Sequence, residues 1–311
     1  MIRVIAFRLL QFPLVLAVIY LTTFMLVWVV PGSPFGRAER KLDPIAEQAM
    51  KERFHADSWK SFLAYYPIQV ITKGDFGRSM QYQEWSVTDI IKVSLPVSVT
   101  LGIFALTIGT IFGVMIGTLA AVNRGGLFDW LSLTIALIGI SIPSFVVAAL
   151  LLATFTGRFG LFPIGGCGGF REMVLPAVAL SLAPLAYIAR LTRISMLDVL
   201  GSDFVRTARA KGLSRFTVIW KHCLRNAFLP VLSYLGPAAA ATFVGSFVVE
   251  TVFSIPGLGQ HFVNSVKNRD QTLILGTVMI YSVFLLTFNL LVDIAYSFVD
   301  PRIDITAKSS S

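Results

Sequence analysis

The chain has 311 residues, 55% of them apolar and only 14% charged, with a net charge of +9 and a mean hydropathy of +0.75. An average soluble domain carries about 25% charged residues, so this composition excludes a soluble globule. The positive charge lies in loops beside apolar runs, as inward-facing membrane loops do, and no zinc-finger spacing or aromatic-basic motif directs it to nucleic acid.

A helix needs about 20 apolar residues to cross a bilayer. Runs of that order at about 9–30, 95–122, 130–156, 173–190, 228–250 and 272–299 predict six transmembrane helices and an all-α membrane protein. The first run follows Arg3 and Arg8 and ends in Pro31-Gly32-Ser33-Pro34. It is longer than the apolar core of a signal peptide, which predicts a retained span. An even number of spans places both termini on one side. Arg3, Arg8, Arg124 and the basic stretch after the fourth span share that side, so the Lys/Arg bias makes it cytoplasmic.

In the long first outer loop, 45–54 reads as a polar helix. The stretch 58–71 reads as an amphipathic one, with Trp59, Phe62, Leu63 and Tyr66 on one face. Both belong at the outer membrane surface, as a cap on the bundle or as part of a docking surface. In the second span Gly109, Gly113 and Gly117 recur every four residues beside Gly102, a spacing that lets two helix backbones approach closely. Pro143, Pro176, Pro184 and Pro237 interrupt spans, where proline permits a kink that can serve as a hinge or line a cavity. Charge inside the spans is sparse. Glu250 ends the fifth span. Asp293 lies within two turns of the inner end of the sixth, which suits either an interfacial position or a group facing an aqueous path.

Catalytic and nucleotide-binding patterns are absent. No G-x-x-x-x-G-K-[ST] or H-E-x-x-H occurs, and Gly165, Gly166, Gly168 and Gly169 do not fit G-x-G-x-x-G. The histidines His55, His222 and His261 are scattered over loops on both sides. Cys167 and Cys223 fall on opposite sides and cannot pair within the chain. No catalytic or metal-ligating residue is therefore expected.

The basic stretch between the fourth and fifth spans sets Arg190, Arg193, Arg206, Arg209, Lys211, Arg215, Lys221 and Arg225 against Asp198 and Asp203. Ser202-Asp203 can cap a short helix from Phe204, and Gly212 can end it in the left-handed conformation. Ser214 can cap a second helix, from Arg215 to about Phe228, that runs into the fifth span just before Pro230. Ala208 and Gly212, four apart, can present a small flat surface to another protein, with Arg206, Arg209 and Lys211 available to acidic groups around it. A topology determinant that touches anionic lipid has the same composition.

Thr207-Ala208-Arg209-Ala210-Lys211-Gly212-Leu213 followed by His222-Cys223-Leu224-Arg225-Asn226-Ala227-Phe228-Leu229-Pro230 resembles the coupling loop of binding-protein-dependent ABC importer permeases, most closely the oligopeptide/dipeptide branch. Glu250 to Gly259, Asn268-Arg269-Asp270, Phe159 to Gly166, Arg8-Leu9-Leu10-Gln11, Pro31 to Pro34 and Gly74 to Ser79 resemble other segments of that branch. The general family loop begins Glu-Ala-Ala and has a shorter gap to Leu-Pro. Arg206-Thr207-Ala208 and the longer gap from Gly212 to Pro230 are usual in the peptide branch. The resemblance covers nearly the whole chain, although 40–70 matches poorly.

The resemblance implies a type I ABC importer permease fold in a bacterial inner membrane. It divides the chain into an N-terminal transmembrane helix (1–30), an extracytoplasmic loop with short helices (31–94), a five-helix permease core (95–299) holding a cytoplasmic coupling loop (191–227), and a cytoplasmic tail (300–311). The partners implied are a second permease subunit, commonly a paralogue, two ATP-binding subunits that hold ATP and Mg, an extracytoplasmic solute-binding protein, and membrane lipid. No cofactor is expected on this chain. Arg206, Ala208, Arg209, Ala210, Lys211, Gly212 and Leu213 would form the contact with the ATPase. The solute implied is a di- or oligopeptide, with a nickel complex or a sugar as alternatives. An ion-coupled carrier would call for intramembrane charges and repeated halves with broken helices, and a receptor or scaffold would move no solute.

Overall fold

The computed structural model describes residues 2–30, 44–82 and 84–299. Within them the chain is almost wholly helical. Helix α1 (Ile2–Val29) is followed by α2 (Pro44–Arg53), α3 (Trp59–Lys73) and α4 (Val87–Val122). Then come α5 (Leu127–Ser141), α6 (Ser144–Leu151) with a π-helical continuation to Arg158, α7 (Phe170–Leu200) and α8 (Asp203–Ala210). Helix α9 (Arg215–Thr217), a π-helical stretch Val218–Cys223, α10 (Leu224–Ala227), α11 (Leu229–Val252), α12 (Leu258–Asn268) and α13 (Gln271–Val299) complete it. Five helices are long and apolar enough to cross a membrane, and α5 with α6 makes a sixth if the bent pair counts as one span.

Three expectations from the sequence change. The span at 130–156 is not one helix but two, bent by 102° at Ile142–Pro143. Ile142 lies in the extended region at φ −93°, ψ 123°, as the ring of a following proline demands. The fourth span does not stop at 190. Nothing between Arg190 and Leu200 breaks a helix, and Met196 is fully buried, so α7 runs ten residues further and the basic segment is helical to its start. The second span begins at Val87 rather than 95, capped by the Ser86 side chain, which accepts from Thr88 N.

Helices α4 and α7 form the centre of the bundle. A Cβ added at Gly109 would meet Ser181 and Leu185, at Gly113 Leu185 and Ile188, and at Gly117 the Ala189 carbonyl and Thr192. The glycine face expected from the sequence is therefore a close backbone contact. The two number series rise together, so α4 and α7 are parallel. A chain that leaves α4 at one end and enters α7 at the other must return across the layer between them, and the bent pair is the segment that does so. Gly117→Ala should destabilise the chain by about 1–3 kcal/mol, the usual range for overpacking. Gly201→Ala, where an added Cβ makes only ordinary contacts from 3.6 Å outward, should leave the thermal unfolding midpoint in detergent unchanged.

The first span is held at both ends, by the last span at one and by α3 at the other. At one end Arg8 Nε lies 3.2 Å from Asp293 Oδ2. At the other, Tyr20 and Phe24 of α1 stack with Tyr66 and Phe62 of α3, Trp28 meets Phe62 at a tilt, and Tyr20 donates to the Leu63 carbonyl at 3.0 Å. Of the amphipathic face read from the sequence in 58–71, Phe62, Leu63 and Tyr66 thus seal α3 onto α1, whereas Trp59 stays exposed.

Two buried carboxylates hold together the end of the bundle opposite Arg8 and Asp293. Glu250 Oε2 accepts from Gly259 N at 2.8 Å and Gln260 N at 3.2 Å, while Ser98 Oγ accepts from Leu258 N at 2.8 Å, so α12 has its first amides capped by α11 and α4. Asp270 is fully buried. It accepts from the Ser79 hydroxyl, Met80 N and Gln81 N of the loop before α4, and from Thr272 Oγ1 and Leu273 N at the start of α13.

Candidate functional site

The segment Gly201–Ala227 gathers at the C-terminal ends of α4 and α7 and the N-terminal end of α11, the end that also carries Arg8 and Asp293. Helix α8 begins at Ser202, whose hydroxyl donates back to the Val199 carbonyl at 2.6 Å instead of capping the new helix. Two residues of α8 face inward. Val205 is buried and Ala208 half-buried, against Ala121, Met196, Val218, Ile219 and Cys223. Burial pushes the Cys223 thiol above its ordinary pKa, so it remains a protonated packing group at neutral pH.

The end of α8 is a left-handed stop. Lys211 N donates to Thr207 O at 3.0 Å, Gly212 N to Arg209 O at 2.9 Å and Leu213 N to Ala208 O at 3.3 Å. Gly212 sits at φ +78° with open space around it, a conformation that a side chain resists. Ser214 then caps α9, accepting from Thr217 N at 3.2 Å. Backbone hydrogen bonds carry the helix past Phe228, with Phe228 N on Leu224 O and Leu232 N on Phe228 O, both at 2.9 Å. A displacement of the α8–α9 turn therefore reaches α11 through continuous helix.

The residues expected to form the contact separate into two groups. Arg206, Arg209, Ala210, Lys211, Gly212 and Leu213 are exposed on one rim. Ala208 turns its side chain toward the underlying cluster, so it sets the height of the rim. Arg206 makes an exposed ion pair with Asp203 at 3.4 Å, an interaction worth little by itself. The sequence reading missed the aromatic groups beside this rim. Phe204, Phe216 and Trp220 are exposed at 42%, 71% and 38%, and Phe216 and Trp220 lie 6.0 Å apart, centroid to centroid. Their spacing of four could have revealed them. Aromatic anchors within a basic rim are the usual makings of a protein-docking surface.

Two contacts that join segments distant in sequence brace this surface. Asp129, buried, and Arg193, half-buried, form a two-pronged ion pair, with Nη2 to Oδ2 at 2.9 Å. Asp129 also accepts from Gly125 N at 2.9 Å. Arg215 Nη2 donates to the Val122 carbonyl at 3.3 Å, at the C-terminal end of α4, where a cation is favoured. Nearby, Arg8, Gln11, Ser233, Gly236, Asn289 and Asp293 line a cavity of about 320 Å³ between α1, α11 and α13. Asp293 thus has an ion-pair partner and an open cavity beside it. Among the described residues, no group of three His, Cys, Asp or Glu could hold a metal.

Comparison with known proteins identifies the family of the chain. Residues 113–305 match the family described as "Binding-protein-dependent transport system inner membrane component". The chain is 43% identical to the dipeptide transport system permease protein DppB of Bacillus subtilis, over 94% of each chain. It is 40% identical to the oligopeptide transport system permease protein OppB of Haemophilus influenzae, over 97% of this chain and 99% of the relative. Among solved structures, an inward-facing MetNI methionine ABC transporter matches at a TM-score of 0.58 and 17% identity, covering 68% of this chain and 96% of that one. An amino acid ABC transporter with histidines matches at 0.53 and 21%, covering 68% and 94%.

Proposed function

Because the chain belongs to the family of binding-protein-dependent transport system inner membrane components, we propose that it is the permease of an ATP-driven importer and forms half of a path for di- and oligopeptides. The observation that carries the solute class is similarity along nearly the whole chain to permeases named for dipeptide and oligopeptide transport. The geometry supports the coupling. A rigid turn, Lys211 to Ser214, stands out from the inner end with basic and aromatic groups around it. It is joined through unbroken helix to a membrane span.

In this reading both termini face the cytoplasm. A second permease subunit, a paralogue, completes the path. Two ATP-binding subunits hold ATP and Mg and receive the α8 turn of each permease, and an extracytoplasmic binding protein delivers the peptide. Arg206, Arg209, Ala210, Lys211, Gly212 and Leu213 make the contact, and Ala208 supports it from beneath. ATP binding shifts the permease between its two states only to the extent that the ATPase pair holds them with different affinity.

The test is disulfide trapping in the assembled transporter. With Cys167→Ser and Cys223→Ala as background, Leu213→Cys should crosslink to a cysteine placed in the ATP-binding subunit, with a yield that depends on ATP. Peptide uptake should stop while the bond holds and return on reduction. Absence of any such crosslink in a working transporter, or uptake that survives loss of the ATPase and collapses with an ion gradient, would overturn the reading.

A further inference from the structure

On the outer side, at the junction of α2, α3, the loop before α4 and the start of α13, lies a pocket of about 250 Å³. Its walls include Arg53, Tyr65, Tyr66, Asp75, Arg78 and Thr272. Among the described residues no carboxylate pairs with either guanidinium. Two arginines on the wall of one cavity, neither in an ion pair with a carboxylate, make a site for a group with several acceptor oxygens.

The depth of the pocket is fixed by the last span. Thr272 is the second residue of α13, and its carbonyl accepts from the Tyr66 hydroxyl at 3.2 Å. The pocket therefore opens where a membrane helix leaves the hydrocarbon. Trp59 and Tyr65 of α3 and Tyr82 and Trp85 of the loop before α4 are exposed, an aromatic enrichment of the kind found at the headgroup layer. A free solute would meet the pocket at the lipid surface, and a phospholipid headgroup is already there.

Asp75 gives the site a second sign. Burial pushes its pKa upward, but hydrogen bonds from Gly77, Gln69 and Thr88 and the charge of Lys73 together bring it below the ordinary value. The carboxylate stays ionised on the wall that also carries the two arginines and favours a ligand that carries a cation next to its phosphate. The volume falls short of the roughly 300–1,000 Å³ typical of drug-sized ligands and suits a headgroup.

We propose that this pocket binds the headgroup of a zwitterionic aminophospholipid of the outer leaflet, its phosphate on Arg53 and Arg78 and its ammonium toward Asp75. The site is independent of the translocation path and of the solute carried. Its role is to anchor α2 and α3, and with them the outer loop, to the bilayer surface.

The test uses the full chain, delipidated in detergent and offered equal amounts of phosphatidylethanolamine and phosphatidylglycerol, with retained lipid read by native mass spectrometry. Wild-type protein should retain one phosphatidylethanolamine per chain. Arg53→Gln with Arg78→Gln, both at exposed positions, should lower retention at least about tenfold, the loss expected for charge-assisted contacts. Soluble glycerophosphoethanolamine should displace the lipid where inorganic phosphate does not. Equal retention by the double variant, equal affinity for phosphatidylglycerol, or displacement by inorganic phosphate would each overturn the assignment.

Discussion

Replacing Gly212 with leucine should leave the chain in the membrane at normal abundance and reduce peptide uptake and peptide-stimulated ATP hydrolysis to background. Two effects act together. At φ +78° a Cβ strains the backbone by roughly 1–2 kcal/mol, and the empty space around Gly212 would fill with an isobutyl group where the partner must sit. Gly212→Asn separates them. Asparagine accepts the left-handed conformation more readily than most residues, so its helix end should survive, and its smaller side chain should give intermediate uptake. Equal uptake by all three proteins would remove Gly212 from the contact.

Asp270→Ala should be the most damaging single change on the outer side. The carboxylate is fully buried and accepts from five groups in two segments. Alanine would orphan the buried donors, each costing about 1–3 kcal/mol when left unsatisfied. The outer loop should come loose from α13, with a lower thermal midpoint and rapid protease cleavage near Arg78 in right-side-out vesicles. Asp270→Asn keeps the shape but turns one acceptor into a donor, so it should fall between. Wild-type protease resistance in Asp270→Ala would show that other contacts hold the loop.

The parts of this fold that were legible in the sequence are those set by local spacing. Glycines four apart marked a close helix contact without naming α7, the aromatic residues of 58–71 marked a face to be covered without naming α1, and Gly212 marked the end of α8. What stayed hidden depends on partners far along the chain. Asp129 and Arg193 are 64 residues apart, and neither stands out, because a charge near a span end is ordinary until its partner is known. Asp270 was visible only within a family-like string, and its acceptor role depends on a loop about 190 residues earlier. Pro143 was noticed, yet proline permits a kink without fixing its angle. The extension of α7 past Arg190 was missed because charge was read as an end of helix, whereas it only marks an end of hydrocarbon.

The elbow at Pro143 has a bearing on bilayer thickness. Drawn out straight, helix from Leu127 to Arg158 would measure about 48 Å, far beyond the roughly 30 Å of a hydrocarbon layer. Folded through 102°, its ends come within about 28 Å of each other. The corner thus matches an overlong apolar segment to the membrane without a steep tilt. Mismatch costs fractions of a kcal/mol per Å, so one proline ring spares the chain several kcal/mol of lipid deformation.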